Sequence, residues 1–170
     1  MQALPFPEYT MLSVKMICVG KMREKYFTDA FREYAQRLSA YCSFDCTELQ
    51  ETRLPDRPGD KDISRALDKE ADAILKAMPK DAYVIALCVE GRKLSSEQLA
   101  ALVRDCENSG RSRLCFLIGG SYGMSERIKQ LADLKLSMSD MTFPHHLARV
   151  MAAEQIYRSF KILEGSAYHK

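Results

Sequence analysis

The sequence predicts an α/β domain built on a mostly parallel sheet with helices on both faces. Three observations carry this. Short apolar runs alternate with helix-period segments along the chain, the pattern of repeated strand–helix units. Two of the runs, 82–89 (AYVIALCV) and 114–118 (LCFLI), are apolar almost throughout, as strands covered on both faces are. The length of 170 residues suits one core, and no low-complexity linker or internal repeat divides it.

The elements follow in order. Residues 1–13 begin MQALPFPEYT, with two prolines and neither a basic start nor an apolar centre. They read as an extension rather than a secretory signal, with Met11 as a candidate natural start and 14–170 as the single domain. Residues 14–19 (VKMICV) form a buried strand that Gly20 ends. A helix follows, with Phe27, Phe31, Tyr34, Leu38 and Tyr41 on one face. Residues 44–49 alternate well enough for a second strand. Residues 52–61 (TRLPDRPGDK) are a polar loop. Ile63, Leu67, Ala71, Ile74, Leu75 and Met78 make a second amphipathic helix, which Pro79 stops. After the strand at 82–89, Ser95 or Ser96 caps a third helix, with Glu97 and Gln98 in its first turn and its end near Gly110. The strand at 114–118, a glycine-rich turn, a short helix at 125–132 and a last strand at 134–138 come next. Residues 145–163 form the final helix. Pro144 suits its first position, and Thr142 is placed to cap it.

Composition excludes several classes. The chain is 46% hydrophobic and 28% charged, with a net charge of +2, the balance of an ordinary globular protein. That charge gives no support to nucleic-acid binding. An RNA substrate would need the cations focused on one face, or a partner's help. No apolar run approaches the ~18 residues of a membrane span. Cys18, Cys42, Cys46, Cys88, Cys106 and Cys115 form no CxxC pair, and three of them lie in apolar strands. They read as free thiols of a cytoplasmic protein. Cys42 and Cys46 with His145 or His146 are too sparse a grouping to predict zinc, so no metal is expected.

Ligands of open parallel sheets bind beyond the carboxyl ends of the strands. That rule selects the loops 20–25, 90–93, 119–123 and 139–144. The turn 119–123 (GGSYG) lets a backbone approach a ligand closely, at a helix start with free N–H groups. It lacks the lysine of a P-loop and the spacing of GxGxxG. It reads either as a tight connection or as a ligand loop. Segment 138–146 (MSDMTFPHH) reads either as a plain connection or as the wall of an adenosine pocket, because it mixes apolar with small polar side chains. On the last helix Glu154 and Arg158 are four apart and can pair. Val150, Met151, Ile156, Tyr157 and Phe160 spread apolar surface round that helix, which predicts burial on more than one side, including against a second subunit. Lys21, Arg23 and Lys25, with Arg92 and Lys93, form either a basic edge for phosphates or scattered solubilising charge. The tail ends in Tyr168, which can stack on a base, and the titratable His169.

Five segments taken together resemble a known family: VKMICVGKMREKYF, LCVEGR at 87–92, LIGGSYG at 117–123, SMSDMTFPHHLARVMAAEQIYRSFKI at 137–162, and EGSAYHK at the end. They are similar to the ribosomal large-subunit pseudouridine N3-methyltransferases, the smallest enzymes of the SPOUT class. The resemblance runs from about Val14 to Lys170, and its C-terminal block is the most specific part. It implies a SPOUT-type sheet whose C-terminal strands and loops close a trefoil knot, a topology too rare to come from pattern alone. It implies S-adenosyl-L-methionine as cofactor and a homodimer in which the partner completes the site. As substrate it implies a pseudouridine of 23S rRNA, methylated at N3 in the assembled ribosome. Carried over by position, the cofactor contacts are Leu87, Gly119 with Gly120, and Met138, Ser139, Asp140, Met141, Thr142 and Phe143. The imide N3 is protonated near neutrality, so a base helps, and His145, His169 and Glu154 are the candidates. The matching tail favours His169 and Tyr168 as substrate-side groups. Arg149 and Arg158 would position RNA or fix the dimer. Two rival readings are a SPOUT enzyme acting on another RNA such as tRNA, and a non-catalytic ribosome-binding factor.

Overall fold

A computed structural model of the chain describes residues 11–169. Most of the extension expected over 1–13, and Lys170, lie outside the described residues. Leu12 is nonetheless buried in the core and Ser13 opens the first strand, so the fold takes in two residues before Val14. The elements run β1 (Ser13–Val19), α1 (Lys25–Leu38), β2 (Ser43–Leu49), α2 (Asp60–Ala77), β3 (Tyr83–Lys93), α3 (Ser96–Asn108), β4 (Arg113–Ile118), α4 (Glu126–Leu131), β5 (Leu134–Ser137) and α5 (His145–Leu163). The five strands form one sheet in the order β2-β1-β4-β3-β5, and every neighbouring pair is parallel.

Strand alternation sends side chains to two cores. Val14, Met16, Cys18, Ile85, Leu114 and Phe116 pack with Leu38 of α1, Val103 of α3 and Ile156 of α5. On the other face Ile17, Val19, Val84, Ala86, Cys115 and Leu117 pack with Ile74 of α2 and Ile128 of α4. A fully buried side chain of this size stabilises a fold by about 1.5–3 kcal/mol. The sheet is therefore clamped from both sides, and its strand ends are held rigidly enough to carry a site.

Two local expectations need correction. Residues 90–93, expected as a loop, belong to β3. That strand pairs with β5 twice, Ile85 to Leu87 first and Arg92 and Lys93 afterwards, with a register shift between Leu87 and Arg92. Gly91 permits the shift, because a Cβ there would lie 2.7 Å from the backbone of Lys135 and Leu136. Thr142 does not cap α5. Pro144 occupies the N-cap position, no side chain caps it, and Thr142 lies two residues too early. The burial expected on more than one side of α5 is present. Every residue of the helix is at least partly buried, with α1 and α3 packed against it. Tyr34 meets Tyr157 at 6.3 Å and Tyr41 stacks on Phe160 at 5.6 Å. One chain thus already accounts for much of the apolar breadth of α5.

The six cysteines are free thiols. Burial pushes Cys42 and Cys115 up to about 12. Among the described residues no cluster of His, Cys, Asp and Glu is arranged to hold a metal, and no helix is long and apolar enough to cross a membrane.

Candidate active site

A cleft of about 670 Å³ opens at the carboxyl ends of β3, β4 and β5. That volume suits a nucleoside-sized ligand. Three pieces of chain wall it: Leu87 to Glu90 where β3 leaves the ladder, the turn 119–123, and the segment from Ser137 to His145. Leu87, Gly119 and Gly120 line it, as do Met138, Ser139, Met141, Thr142 and Phe143. Asp140 is the one expected cofactor position that does not line the cleft. Its carboxylate turns outward to pair with Lys93.

The glycine turn is closed on itself. Gly123 N donates to Gly120 O at 3.0 Å, and Gly123 has a φ of +80°. A Cβ on Gly119 would collide with the Gly123 carbonyl, so the turn tolerates no side chain there. A Cβ on Gly120 would lie 2.6 Å from Glu51 Oε1. That same oxygen accepts a hydrogen bond from Ser121 N at 2.8 Å, so Glu51, just beyond β2, latches the turn. Burial pushes the Glu51 carboxyl up, but the Ser121 hydrogen bonds and the nearby His145 and His146 outweigh it and hold the group low. The 137–143 segment is braced in a similar way. Ser137 Oγ donates to Ser139 O at 2.9 Å, and Ser139 Oγ accepts from Met141 N at 3.1 Å.

The 20–25 loop meets the cleft from the side. A Cβ on Gly20 would lie 3.6 Å from both Glu51 Oε2 and His145 Nε2, and 4.0 Å from His146 Nε2. His146 Nδ1 faces Glu24 Oε2 at 3.2 Å, while its Nε2 is buried with no partner among the described residues. His145 lines the cleft. Burial first, and His146 second, push its imidazole below the ordinary value.

Arg149 lies elsewhere than expected. Only 1% of its side chain is exposed, and it donates to Glu48 Oε1 at 2.7 Å, Gly20 O at 3.0 Å and Val19 O at 3.3 Å. Buried in this way, it ties α5 to the ends of β1 and β2 and has no free face for RNA. The tail packs on α5 at the start of α3. Arg158 Nε and Nη2 donate to Glu154 Oε1 at 2.9 and 2.7 Å, and Tyr168 Oη donates to the same oxygen at 3.2 Å. His169 Nε2 faces Glu97 Oε1 at 2.5 Å, and that contact above all takes the Glu97 carboxyl down to about 2. Glu154 lines a second cleft of about 480 Å³ between α3 and α5. Leu87, Leu136, Ser137 and Met138 line both clefts. Within one chain, therefore, Tyr168 and His169 are not brought into the first cleft.

The model of a family described as "Predicted SPOUT methyltransferase" matches residues 12–169. The chain belongs to the SPOUT methyltransferase family. The protein named ribosomal RNA large subunit methyltransferase H in Clostridium botulinum (strain Alaska E43 / Type E3) is 45% identical over 159 residues, 94% of this chain and 100% of its own. The protein of that name in Bacillus pumilus is 43% identical with the same coverage of 94% and 100%. Among solved structures, a probable methylase family protein from Haemophilus influenzae Rd KW20 aligns with a TM-score of 0.53 at 12% identity, over 92% of this chain and 70% of that one. A probable methyltransferase from Bordetella pertussis Tohama I aligns with a TM-score of 0.54 at 15% identity, over 87% and 96%. At those identities the likeness is one of fold.

In this SPOUT chain the cleft combines an apolar floor with backbone groups from two braced loops and one charged pair at its wall, Glu90 and Lys129 at 2.5 Å. Such a set fits an adenosyl ligand: a flat surface for the base and polar groups for the rest. Cys88 also lines the cleft, but burial pushes its thiol up, so it stays protonated near neutrality and is a poor nucleophile. Glu51, Glu90 and Lys129 were not singled out from the sequence. Glu51 falls between the second strand and the polar loop at 52–61, in a stretch that carries no motif, and only the fold brings it to the glycine turn.

Proposed function

We propose that the chain transfers a methyl group from S-adenosyl-L-methionine to N3 of a pseudouridine in large-subunit ribosomal RNA, acting as a homodimer on the assembled ribosome in the cytoplasm. The observation that carries this is the cleft built from the 119–123 turn and the 137–143 segment, in a SPOUT chain whose relatives are named for large-subunit rRNA. The cofactor supplies an electrophilic methyl on a sulfonium. The chain's own residues do the rest. Leu87, Leu136 and Phe143 give the base an apolar seat, and Glu51 keeps the glycine turn in shape. Holding the reacting atoms in line can supply much of the acceleration. The imide N3 must lose its proton, and His169, oriented by Glu97, with Tyr168 beside it, are the substrate-side groups of this reading. The tail lies off its own cleft, so it serves the cleft of a second copy. Arg149 acts as a positioning residue that fixes the start of α5. The reading includes the trefoil knot of the C-terminal strands and loops.

The test uses tritiated S-adenosylmethionine with assembled ribosomes, free large subunits and bulk tRNA, all from a strain lacking the enzyme. Label in 23S rRNA of the ribosomes, mapped to one pseudouridine, is the expected result. Label in tRNA would keep the chemistry and overturn the substrate. No label, with no rise in melting temperature on adding cofactor, would favour a non-catalytic ribosome-binding factor.

A further inference from the structure

The cleft wall holds a charged pair that neither the glycine turn nor the 137–143 segment supplies. Between Leu87 and Arg92 the β3 chain leaves its ladder with β5, and this excursion hands Cys88, Val89 and Glu90 to the wall. Glu90 is the one carboxylate lining the cleft among the described residues. Its Oε1 takes a hydrogen bond from Lys129 Nζ at 2.5 Å, and Lys129 is braced in turn by Glu126 at 3.0 Å. The Lys129 side chain is largely buried, so the strut is fixed, whereas Glu90 is half exposed toward the cleft. Its second oxygen has no partner among the described residues. The hydrogen bond from Lys129 holds the carboxyl below its ordinary range, so it is an acceptor at neutral pH.

Resting on the cofactor reading above, we infer that Glu90 is the ribose anchor of the cleft: its free oxygen accepts hydrogen bonds from the 2′- and 3′-hydroxyls of an adenosyl ligand, with Lys129 as the strut that aims it. Two features select the diol over the other polar end of such a ligand. A vicinal diol is a neutral double donor and needs an acceptor, which a carboxylate at the carboxyl end of a parallel strand provides in other nucleotide-binding sheets. The ammonium of the amino-acid end would approach a carboxylate that already holds the Lys129 ammonium on its other oxygen, and would be repelled by that lysine.

Calorimetry on the apo chain tests this without turnover. The probes are S-adenosylhomocysteine, 5′-methylthioadenosine, which keeps the diol and lacks the amino-acid end, and 2′-deoxy-5′-methylthioadenosine. Glu90→Ala is expected to weaken the first two by a similar factor, about 10- to 100-fold for a charged hydrogen-bond partner. The deoxy ligand should bind the native chain weakly and lose much less on substitution. Weakening confined to S-adenosylhomocysteine would overturn the assignment in favour of the amino-acid end. Equal weakening of the deoxy ligand would overturn it in favour of a general distortion. An unchanged melting temperature of the apo variant checks the fold, and Glu90→Gln, which keeps an acceptor but loses the charge, should show an intermediate loss. Native chain that binds neither S-adenosylhomocysteine nor methylthioadenosine would overturn the cofactor reading itself, a result distinct from all of these.

Discussion

Arg149 shows how one residue's surroundings decide its role. It lies on the stripe that carries Ala152, Ala153, Ile156 and Phe160, and that spacing places it on the buried face of α5. Its guanidinium serves three acceptors on two other elements, Glu48 and the Val19 and Gly20 carbonyls. A planar fork can do this, and an ammonium cannot replace it. Removing one partner of a fully buried pair costs about 3–5 kcal/mol. Glu48 keeps some access to water, so Arg149→Met should cost less, about 2–3 kcal/mol. Urea denaturation should show that loss, with Arg149→Lys recovering little of it. A variant as stable as the native chain, with methyl transfer abolished, would instead return Arg149 to the chemistry.

At the scale of elements, the start of α5 joins the 20–25 loop and the end of β2 through two histidines. His145 faces Glu51, Glu24, His146 and Arg149. Burial and His146 depress its pKa from the unfolded value of about 6.5. The unfolded chain therefore takes up this proton first as pH falls. The stabilisation is complete above the unfolded pKa and is lost as pH drops toward the folded one. The melting temperature should fall from about pH 7 to pH 5, and His145→Gln should flatten that fall. Identical slopes for the two chains would show that the junction does not depend on His145. The elements themselves were largely legible in the sequence, because 3.6-residue periods and apolar runs report local burial directly. The final helix was read with the bounds it has, and the turn 119–123 was placed where it lies. What escaped was set by pairing between distant segments. The extension of β3 over 90–93 needs β5 alongside and Gly91 to pass it. The order β2-β1-β4-β3-β5 has no local signature, and neither has the reach of Glu51 to Ser121. The tail's place against Glu97 and Glu154 likewise comes from how α3 and α5 pack.

At the scale of the molecule, the two clefts lie on either side of the same strand ends, and the groups proposed for one reaction are divided between the first cleft and the tail, which packs on Glu154 of the second. Leu87, Leu136, Ser137 and Met138 line both, with the glycine turn on one side and Glu154 on the other. An isologous dimer can reunite them if each copy offers its tail to the other's cleft. Complementation separates this from action within one chain. A chain lacking residues 168–170 keeps its cleft and loses its tail. Gly119→Val keeps its tail and loses its cleft, because the new side chain meets the Gly123 carbonyl. Each should be inactive alone. When the two are unfolded and refolded together in equal amounts, random pairing makes about half of the dimers mixed, and each mixed dimer has one complete site of two. Transfer should then recover to about a quarter of the native rate per chain. If the tail serves its own cleft, no mixed dimer contains a complete site, and activity stays at the level of the parents. That outcome would leave the distance between cleft and tail to be bridged by movement of the tail within one chain.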